Sequence, residues 1–220
     1  PGTGKSSIAA TFVDAACARG ERAILFTYEE SESQLLRNMR SIGVRLDRWI
    51  DKGLLKIEST RPTLHGLEQH LVHIYTLVSE FKPDVVAVDP ISNLTSHSED
   101  AGLSLTLMRL IDFLKTKNVT ALFTSLTQDG ALASSGTGIS SLMDTWLWLN
   151  NVAFNGERTR TLQVLKSRGM AHSNQVREFV VSDRGVDLID VYMFGDQVLT
   201  GTARETHEAQ VVANNDLRGR

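Results

Sequence analysis

The feature that most constrains the fold is the opening stretch, Pro1-Gly2-Thr3-Gly4-Lys5-Ser6. It matches the end of the Walker A pattern, G-x-x-x-x-G-K-[ST]. In that pattern, glycines let backbone N–H groups turn toward phosphate oxygens, the lysine places a charge on the β- and γ-phosphates, and the serine hydroxyl can bind Mg²⁺. The residues from Ser7 to Arg19 follow a helical pattern, and a helix N-terminus favours an anion. A plain glycine turn is the alternative. The motif and the helix together predict a nucleotide site formed by Gly2, Thr3, Gly4, Lys5, Ser6 and Ser7.

Composition narrows the class of protein. The chain has 220 residues, 41% of them hydrophobic and 22% charged, which is typical of a soluble globular α/β domain. Its net charge of −3 gives no electrostatic reason to bind nucleic acid or an anionic membrane. The single cysteine, Cys17, is interpreted as a core residue, and the absence of any disulfide partner fits a reducing compartment, the cytoplasm. Because a P-loop needs a buried strand and another glycine before it, we expect the chain to be part of a longer protein.

Strands and helices alternate along the first two-thirds of the chain. Apolar runs at 22–28, 54–57, 84–89 and 119–125 read as strands, and amphipathic patterns at 31–42, 67–81 and 103–117 read as helices. This alternation predicts an α/β fold with a mostly parallel, twisted sheet flanked by helices. After Thr145 the pattern changes to short strands, with an Asn155-Gly156 turn that is typical of antiparallel hairpins. We expect one nucleotide-binding domain over residues 1–201, lacking its N-terminal strand, and a polar tail over 202–220.

Local signals refine three of these elements. Ser31 and Gln34 have the spacing of a capping box at the start of a helix. In the helix that begins at Leu67, His70 and His73 are read as lying off the apolar stripe. We therefore expect both histidines to be solvated and not to bind metal.

Carboxylates follow two of the predicted strands. Asp89 ends an apolar strand and fits a Walker B acid, which helps to hold Mg²⁺; a structural aspartate is the alternative. Glu29 and Glu30 follow the first strand, where open α/β sheets bind ligands. One of the two could orient or deprotonate a nucleophile while the other faces the metal or packs. The alternative is a pair of acids that favour the start of the next helix.

Two further stretches could serve phosphate chemistry. Lys166 and Arg168 flank Ser167 on a strand-like run, so both cations would face one side and could reach a γ-phosphate; two solvated cations are the alternative. The segment between Leu126 and Met143 is rich in Ser, Thr and Gly and contains no Lys or Arg. A loop that contacts DNA needs basic residues. This segment offers Ser and Thr hydroxyl groups instead, and its composition alone favours a flexible linker.

Several stretches together closely resemble one family. They are 21–31, 34–38, 54–57, 166–169 and 177–183, in that order along the chain. This set is similar to the KaiC family of RecA-like circadian-clock ATPases and autokinases, in particular to their C-terminal ATPase domain. The resemblance extends to about Gly201 and implies a RecA-like P-loop fold.

The resemblance also implies roles for particular residues. Glu29 and Glu30 match the catalytic glutamate pair, and Lys5 takes part in catalysis. Ser140 and Ser141 match the adjacent Ser and Thr that are autophosphorylated. The residues that match nucleotide contacts from a neighbouring subunit are Arg160, Lys166, Ser167 and Arg168. ATP and Mg²⁺ are the implied cofactors, Ser6, Glu29 and Asp89 are the implied metal residues, and a hexameric homo-oligomer with Kai-type clock or signalling partners is the implied assembly.

Two other functions stay open at the level of sequence. A RecA-like recombinase or helicase would use ATP to move on DNA. The negative net charge and the absence of Lys and Arg between Leu126 and Met143 both count against this function. A nucleotide-gated signalling scaffold would bind ATP with negligible turnover.

Overall fold

A computed structural model of the protein describes residues 2–61, 66–95, 100–126, 142–154, 157–189, 192–194, 197–199 and 206–207. The chain divides into two compact units. The first comprises Pro1–Met143 with Val181–Val186, and the second comprises Asp144–Val180 with Asp187–Arg220. None of the helices in the described ranges is long and apolar enough to cross a membrane.

The first unit contains a parallel four-stranded sheet. Its strands are β1 (Ala23–Thr27), β2 (Leu55–Ser59), β3 (Val85–Asp89) and β4 (Thr120–Phe123), in the order β2-β1-β3-β4. The helices between them are α1 (Lys5–Ala18), α2 (Glu32–Ser41), α3 (Asp47–Asp51), α4 (Leu67–Phe81), α5 (Ser92–Thr95) and α6 (Asp100–Thr116). Thr27 lies opposite Ser59 on one side and opposite Asp89 on the other, so the carboxyl ends of three strands are level at one edge. The predicted fold class is confirmed.

Helices cover both faces of this sheet. On one face, Leu25 and Ala87 belong to a buried cluster with residues of α1, α2 and α3. On the other face, Phe26 and Val88 belong to a cluster with residues of α4 and α6. Successive strand residues point to opposite faces, so both alternating sets are buried. This explains why the strands read as continuous apolar runs.

The direction of α1 places its N-terminus near the level strand ends. Cys17, in the last turn of α1, is buried, and its Sγ lies 3.8 Å from the carbonyl oxygen of Leu54, just before β2 begins. The C-terminal end of α1 is therefore at the amino edge of the sheet. Because α1 packs along β1 and β3, its first residues point toward the carboxyl edge. The interpretation of Cys17 as a core residue is confirmed.

Helix α2 has the predicted capping box. The Ser31 hydroxyl accepts a hydrogen bond from the backbone N–H of Gln34, and the Gln34 side chain accepts one from the backbone N–H of Ser31. Beyond the end of α2, Gly43 has a φ of +78°, and a Cβ built there would lie 2.1 Å from the carbonyl oxygen of Asp183. The chain at Gly43 thus packs directly on the turn that precedes β8.

The expectation for His70 is wrong. Its ring is buried, only 3% exposed, and meets the ring of Tyr28 edge-on at 5.6 Å between centroids. His70 lies four and seven residues before Ile74 and Leu77, both buried, and this spacing puts it on the inner face of α4. His73 is exposed as expected, with Nε2 3.0 Å from Glu58 Oε1. Helix α5 is a second difference, because it lies between the predicted strand at 84–89 and the predicted helix at 103–117, where no helix was expected.

Antiparallel pairing dominates the rest of the chain. Strands β5 (Thr145–Phe154), β6 (Glu157–Ser167), β7 (Arg177–Ser182) and β8 (Gly185–Ile189) form a sheet in that order. β5 pairs antiparallel with β6, and β6 with β7. β9 (Tyr192–Phe194) and β10 (Gln197–Leu199) pair separately. The pairing of Phe154 with Glu157 fits the predicted hairpin, whose Asn155-Gly156 turn lies outside the described residues.

Candidate functional site: a phosphate cradle beside strand-end carboxylates

The P-loop residues have the backbone that phosphate binding requires. Gly2 has a φ of +82° and Gly4 a φ of +89°, both in the left-handed region that glycine adopts without strain. Gly4 is the N-cap of α1 and contributes no side-chain hydrogen bond, so no side chain caps the first N–H groups of the helix. The first turn of α1 also contains no acidic residue that would repel an anion.

Lys5 is the first residue of α1. Its Nζ donates a hydrogen bond to Thr3 Oγ1 at 3.3 Å. Both side chains therefore lie on the same side of the loop. Ser6 and Ser7 follow in the first turn, where Ser6 occupies the Walker A position for a metal-binding hydroxyl. Together with Gly2 and Gly4, these four residues are the predicted phosphate contacts.

Asp89 is a buried carboxylate at the end of β3, only 7% exposed. Its Oδ1 accepts a hydrogen bond from the Thr124 hydroxyl, directly after β4. Within the described ranges, Oδ2 accepts no hydrogen bond. A buried carboxylate with one oxygen fixed and the other available suits a site where a cation or water would bind.

The two adjacent glutamates are held by different elements. Glu29 Oε1 accepts a hydrogen bond from Asn93 Nδ2 at 3.2 Å, and Asn93 lies in α5 on the β3 side. Glu30 is turned toward α2, because Asn38 Nδ2 lies 3.2 Å from both Glu30 Oε1 and Oε2. The Glu30 carbonyl oxygen also accepts a hydrogen bond from the Ser59 hydroxyl at 2.8 Å, at the end of β2. The two acids therefore have different partners, Asn93 for Glu29 and Asn38 for Glu30.

The donor set fits a hard divalent cation. The predicted metal residues, Ser6, Glu29 and Asp89, offer only oxygen atoms, which Mg²⁺ prefers. No group of three or more His, Cys, Asp or Glu residues within the described ranges forms a metal cluster. A P-loop site does not require one, since it combines one hydroxyl, one strand-end acid and the phosphates themselves.

The other predicted nucleotide contacts lie on β6 and just after it, in the second unit. Arg160 pairs with Asn151, and Lys166 with Trp146, across the β5–β6 ladder. The Ser167 hydroxyl lies 3.1 Å from the Thr145 hydroxyl.

Arg168 follows the last residue of β6, so its direction does not follow from strand alternation as the sequence suggested. Its backbone N–H donates to the Asp144 carbonyl at 2.7 Å, and its Nη1 lies 3.6 Å from Asp144 Oδ1. The predicted phosphoacceptors, Ser140 and Ser141, lie outside the described residues.

Sequence reasoning missed three residues of this site: Asn38, Asn93 and Thr124. Each donates to one of the predicted acids. Thr124 carried a weak signal, since it lies next to the last residue of a predicted strand, at the edge where ligands bind. Asn93 carried none, because it contacts a residue 64 positions away.

Comparisons with known proteins agree with this arrangement. The family model described as "ATPase: KaiC" matches residues 1–192. The chain is 49% identical over 206 residues to the circadian clock protein KaiC2 of Synechocystis sp., covering 92% of this chain and 36% of that protein. It is 36% identical over 203 residues to the circadian clock oscillator protein KaiC of Synechococcus elongatus, covering 91% of this chain and 39% of that protein.

The chain therefore spans well under half the length of these relatives. The matched residues include the P-loop, both strand-end acid groups and the β5–β8 sheet, and the match accounts for the RecA-like P-loop fold. With one family model across most of its length and relatives above 30% identity, this chain belongs to the KaiC family of ATPase domains.

Proposed function

We propose that the chain binds ATP with Mg²⁺ and hydrolyses it, and that it transfers phosphate to its own Ser140 or Ser141. The observation that carries ATP binding is the pair of left-handed glycines, Gly2 and Gly4, at the start of α1, on the edge of the sheet where Asp89 ends β3 and Glu29 follows β1. Phosphoryl transfer needs positive and N–H groups that bind the phosphates, which the P-loop supplies. It also needs carboxylates that bind the metal and the nucleophile, which the strand ends supply.

In the proposed reaction, the backbone N–H groups of the P-loop and Lys5 bind the β- and γ-phosphates. Ser6 and Asp89 would hold Mg²⁺, which neutralises charge on the phosphate oxygens when it is bound. Glu29 orients a water molecule or a serine hydroxyl and accepts its proton. The freed oxygen bonds to the γ-phosphorus while the bond from that phosphorus to the bridging oxygen breaks, and ADP leaves.

The acceptor distinguishes the two outcomes of this chemistry. Water gives ADP and inorganic phosphate, whereas a hydroxyl of Ser140 or Ser141 gives a phosphoserine. The match to a KaiC-type domain supports the serine hydroxyl as an acceptor. The sequence around these serines supports it too, because it is rich in hydroxyl groups and lacks Lys and Arg. A circadian or related signalling role with Kai-type partners is part of this proposal.

The first experiment incubates the intact protein with γ-labelled ATP and Mg²⁺. We expect label on Ser140 or Ser141, and we expect the double change Ser140→Ala with Ser141→Ala to abolish it while ATP hydrolysis persists. Lys5→Ala should lower both reactions by about 10²-fold, because a charged group at the phosphates is lost. Unchanged labelling in the double variant would remove the autokinase assignment. Stimulation of hydrolysis by DNA would favour the recombinase or helicase alternative.

A second experiment tests the ring. We propose that ATP binds between subunits of a homo-oligomer, with Arg160, Lys166, Ser167 and Arg168 reaching the nucleotide of a neighbour. If so, subunits carrying Arg168→Ala mixed with subunits carrying Glu29→Gln and Glu30→Gln should recover part of the activity that each lacks alone. A mixture that stays as inactive as its components at every ratio would contradict a shared site.

A further inference from the structure

Asn93 is the side chain that holds Glu29 in place. Its Nδ2 donates to Glu29 Oε1 at 3.2 Å, across 64 residues of sequence. Glu29 Oε2 accepts no hydrogen bond within the described ranges. One oxygen is therefore fixed by an amide, and the other is left to meet a water molecule or a hydroxyl. This is the arrangement that a proton acceptor needs, because an oriented carboxylate loses less freedom on reaching the reactive geometry.

The backbone that carries Asn93 is itself anchored to the end of β4. The N–H of Ile91, which is buried in the core, donates to the Thr124 carbonyl at 2.8 Å. The Ser92 hydroxyl accepts a hydrogen bond from the N–H of Leu126 at 3.2 Å. These bonds fix the start of α5 to the end of β4, so the Asn93 amide is presented from an ordered position.

Within the part of the chain that the structure describes, no backbone hydrogen bond anchors Glu29 in this way. It lies beyond the end of β1, its side chain is exposed, and the last backbone bond before it is from the N–H of Tyr28 to the carbonyl of Asp89 at 3.0 Å. A glutamate has three rotatable side-chain bonds, so an exposed one samples many rotamers. The contact with Asn93 selects the rotamer that points toward α5.

The neighbouring acid shows the same device used in the opposite direction. Asn38 binds both carboxylate oxygens of Glu30, and Ser59 fixes the Glu30 backbone. Glu30 is thereby tied to α2 and to the end of β2. Each of the two adjacent glutamates is hydrogen-bonded to a different asparagine. The direction of each glutamate side chain therefore depends on its asparagine partner as well as on the backbone.

We propose that Asn93 is a positioning residue for Glu29 in phosphoryl transfer. The proposal rests on the proposed function, and it predicts that Asn93 acts on the rate of the reaction and not on nucleotide binding. Since Asn93 works only through Glu29, its removal cannot cost more than removal of the Glu29 carboxylate. That loss is about 10²–10⁴-fold for a general base.

The test uses the intact protein and measures the Glu29-dependent rate of ATP hydrolysis. For each variant, this is its rate minus the rate of the same variant carrying Glu29→Gln. Asn93→Ala should lower this rate by about 10-fold or more through misplacement of the carboxylate. Asn93→Asp should lower it further, because a carboxylate would replace the donor. The dissociation constant for ATP, measured by equilibrium titration, should change by less than about twofold in both variants, because Asn93 holds the acid and not the phosphates.

Two comparisons make the test decisive. In the Glu29→Gln background, Asn93→Ala should change the residual rate by less than about twofold, since the residue through which it acts is already lost. Asn118→Asp is the matched control, because Asn118 is exposed and precedes β4 at the opposite edge of the sheet. It should leave the rate unchanged.

The outcomes separate this inference from the function on which it rests. A Glu29-dependent rate that is unchanged in Asn93→Ala overturns the positioning role and leaves the ATPase assignment intact. So does a loss of ATP affinity as large as the loss of rate, or a further loss in the Glu29→Gln background. A wild-type protein that binds and hydrolyses no ATP overturns both.

Discussion

Replacing Gly43 by alanine should destabilise the first unit strongly, and the structure gives the size of the effect. Gly43 has a φ of +78°, where an alanine costs about 1–2 kcal/mol relative to glycine. The new Cβ would also lie 2.1 Å from the carbonyl oxygen and 2.9 Å from the carbonyl carbon of Asp183. Both neighbours are backbone atoms, which cannot turn away as a side chain can.

Relief of that overlap requires the chain after α2 and the turn before β8 to move apart. Overpacking of this kind costs about 1–3 kcal/mol. The sum of strain and overlap is about 2–5 kcal/mol, a large share of the stability of a typical domain. Urea unfolding followed by circular dichroism would measure it as a fall in the midpoint at an unchanged slope.

Gly20 provides the matched control. It has a φ of +88°, but a Cβ there would meet nothing within 4 Å. Gly20→Ala should therefore cost only the conformational part, about 1–2 kcal/mol. The difference between the two variants isolates the contact with Asp183. Equal losses in Gly43→Ala and Gly20→Ala would refute the argument that this contact is tightly packed.

Three further predictions concern buried polar contacts. Burial raises the pKa of the Cys17 thiol to about 11, so iodoacetamide at pH 8 should alkylate it in the unfolded protein and not in the folded one. The folded pKa lies above the ordinary 9.0, so this thiol's contribution to stability should be complete below pH 9 and lost as the pH rises to about 11. Thr124→Val removes the donor to the buried Asp89 carboxylate and should cost about 1.5–3 kcal/mol in urea unfolding. Trp49→Phe removes the 2.6 Å bond from the indole N–H to Asp14 and should cost a similar amount, measured in the same way.

Thr124→Val has a matched control in the chain, and each of the three predictions has an outcome that would contradict it. Thr120 is the first residue of β4, the strand that leads to Thr124, and its side chain is exposed. Thr120→Val should therefore leave the free energy of unfolding nearly unchanged. A loss as large as that of Thr124→Val would mean that the bond to Asp89 is not the cause. Alkylation of Cys17 at equal rates in folded and unfolded protein would contradict its burial. A neutral Trp49→Phe would show that the bond to Asp14 contributes nothing net.

The sequence predicts strands and helix starts well, because their signals are local. It predicts contacts between side chains that are distant in sequence poorly. The four parallel strands follow from apolar runs, and the start of α2 follows from the capping pair at Ser31, because these signals are local. The prediction of a solvated His70 failed because the buried face of α4 also includes Leu77 and is therefore wider than the predicted apolar stripe. The hydrogen bonds of Asn38 and Asn93 could not be predicted, since a polar residue after a strand or on a helix looks the same whether it faces solvent or an acid.

The central position of β1 has a consequence for how the chain is made. β1 pairs on one side with β2 and on the other with β3, which ends at Asp89. A ribosome that has just released β1 must therefore synthesise some sixty more residues before the second edge of that strand finds its partner. During that interval an apolar strand with an open edge is exposed to other nascent chains, which is the situation that chaperones protect against.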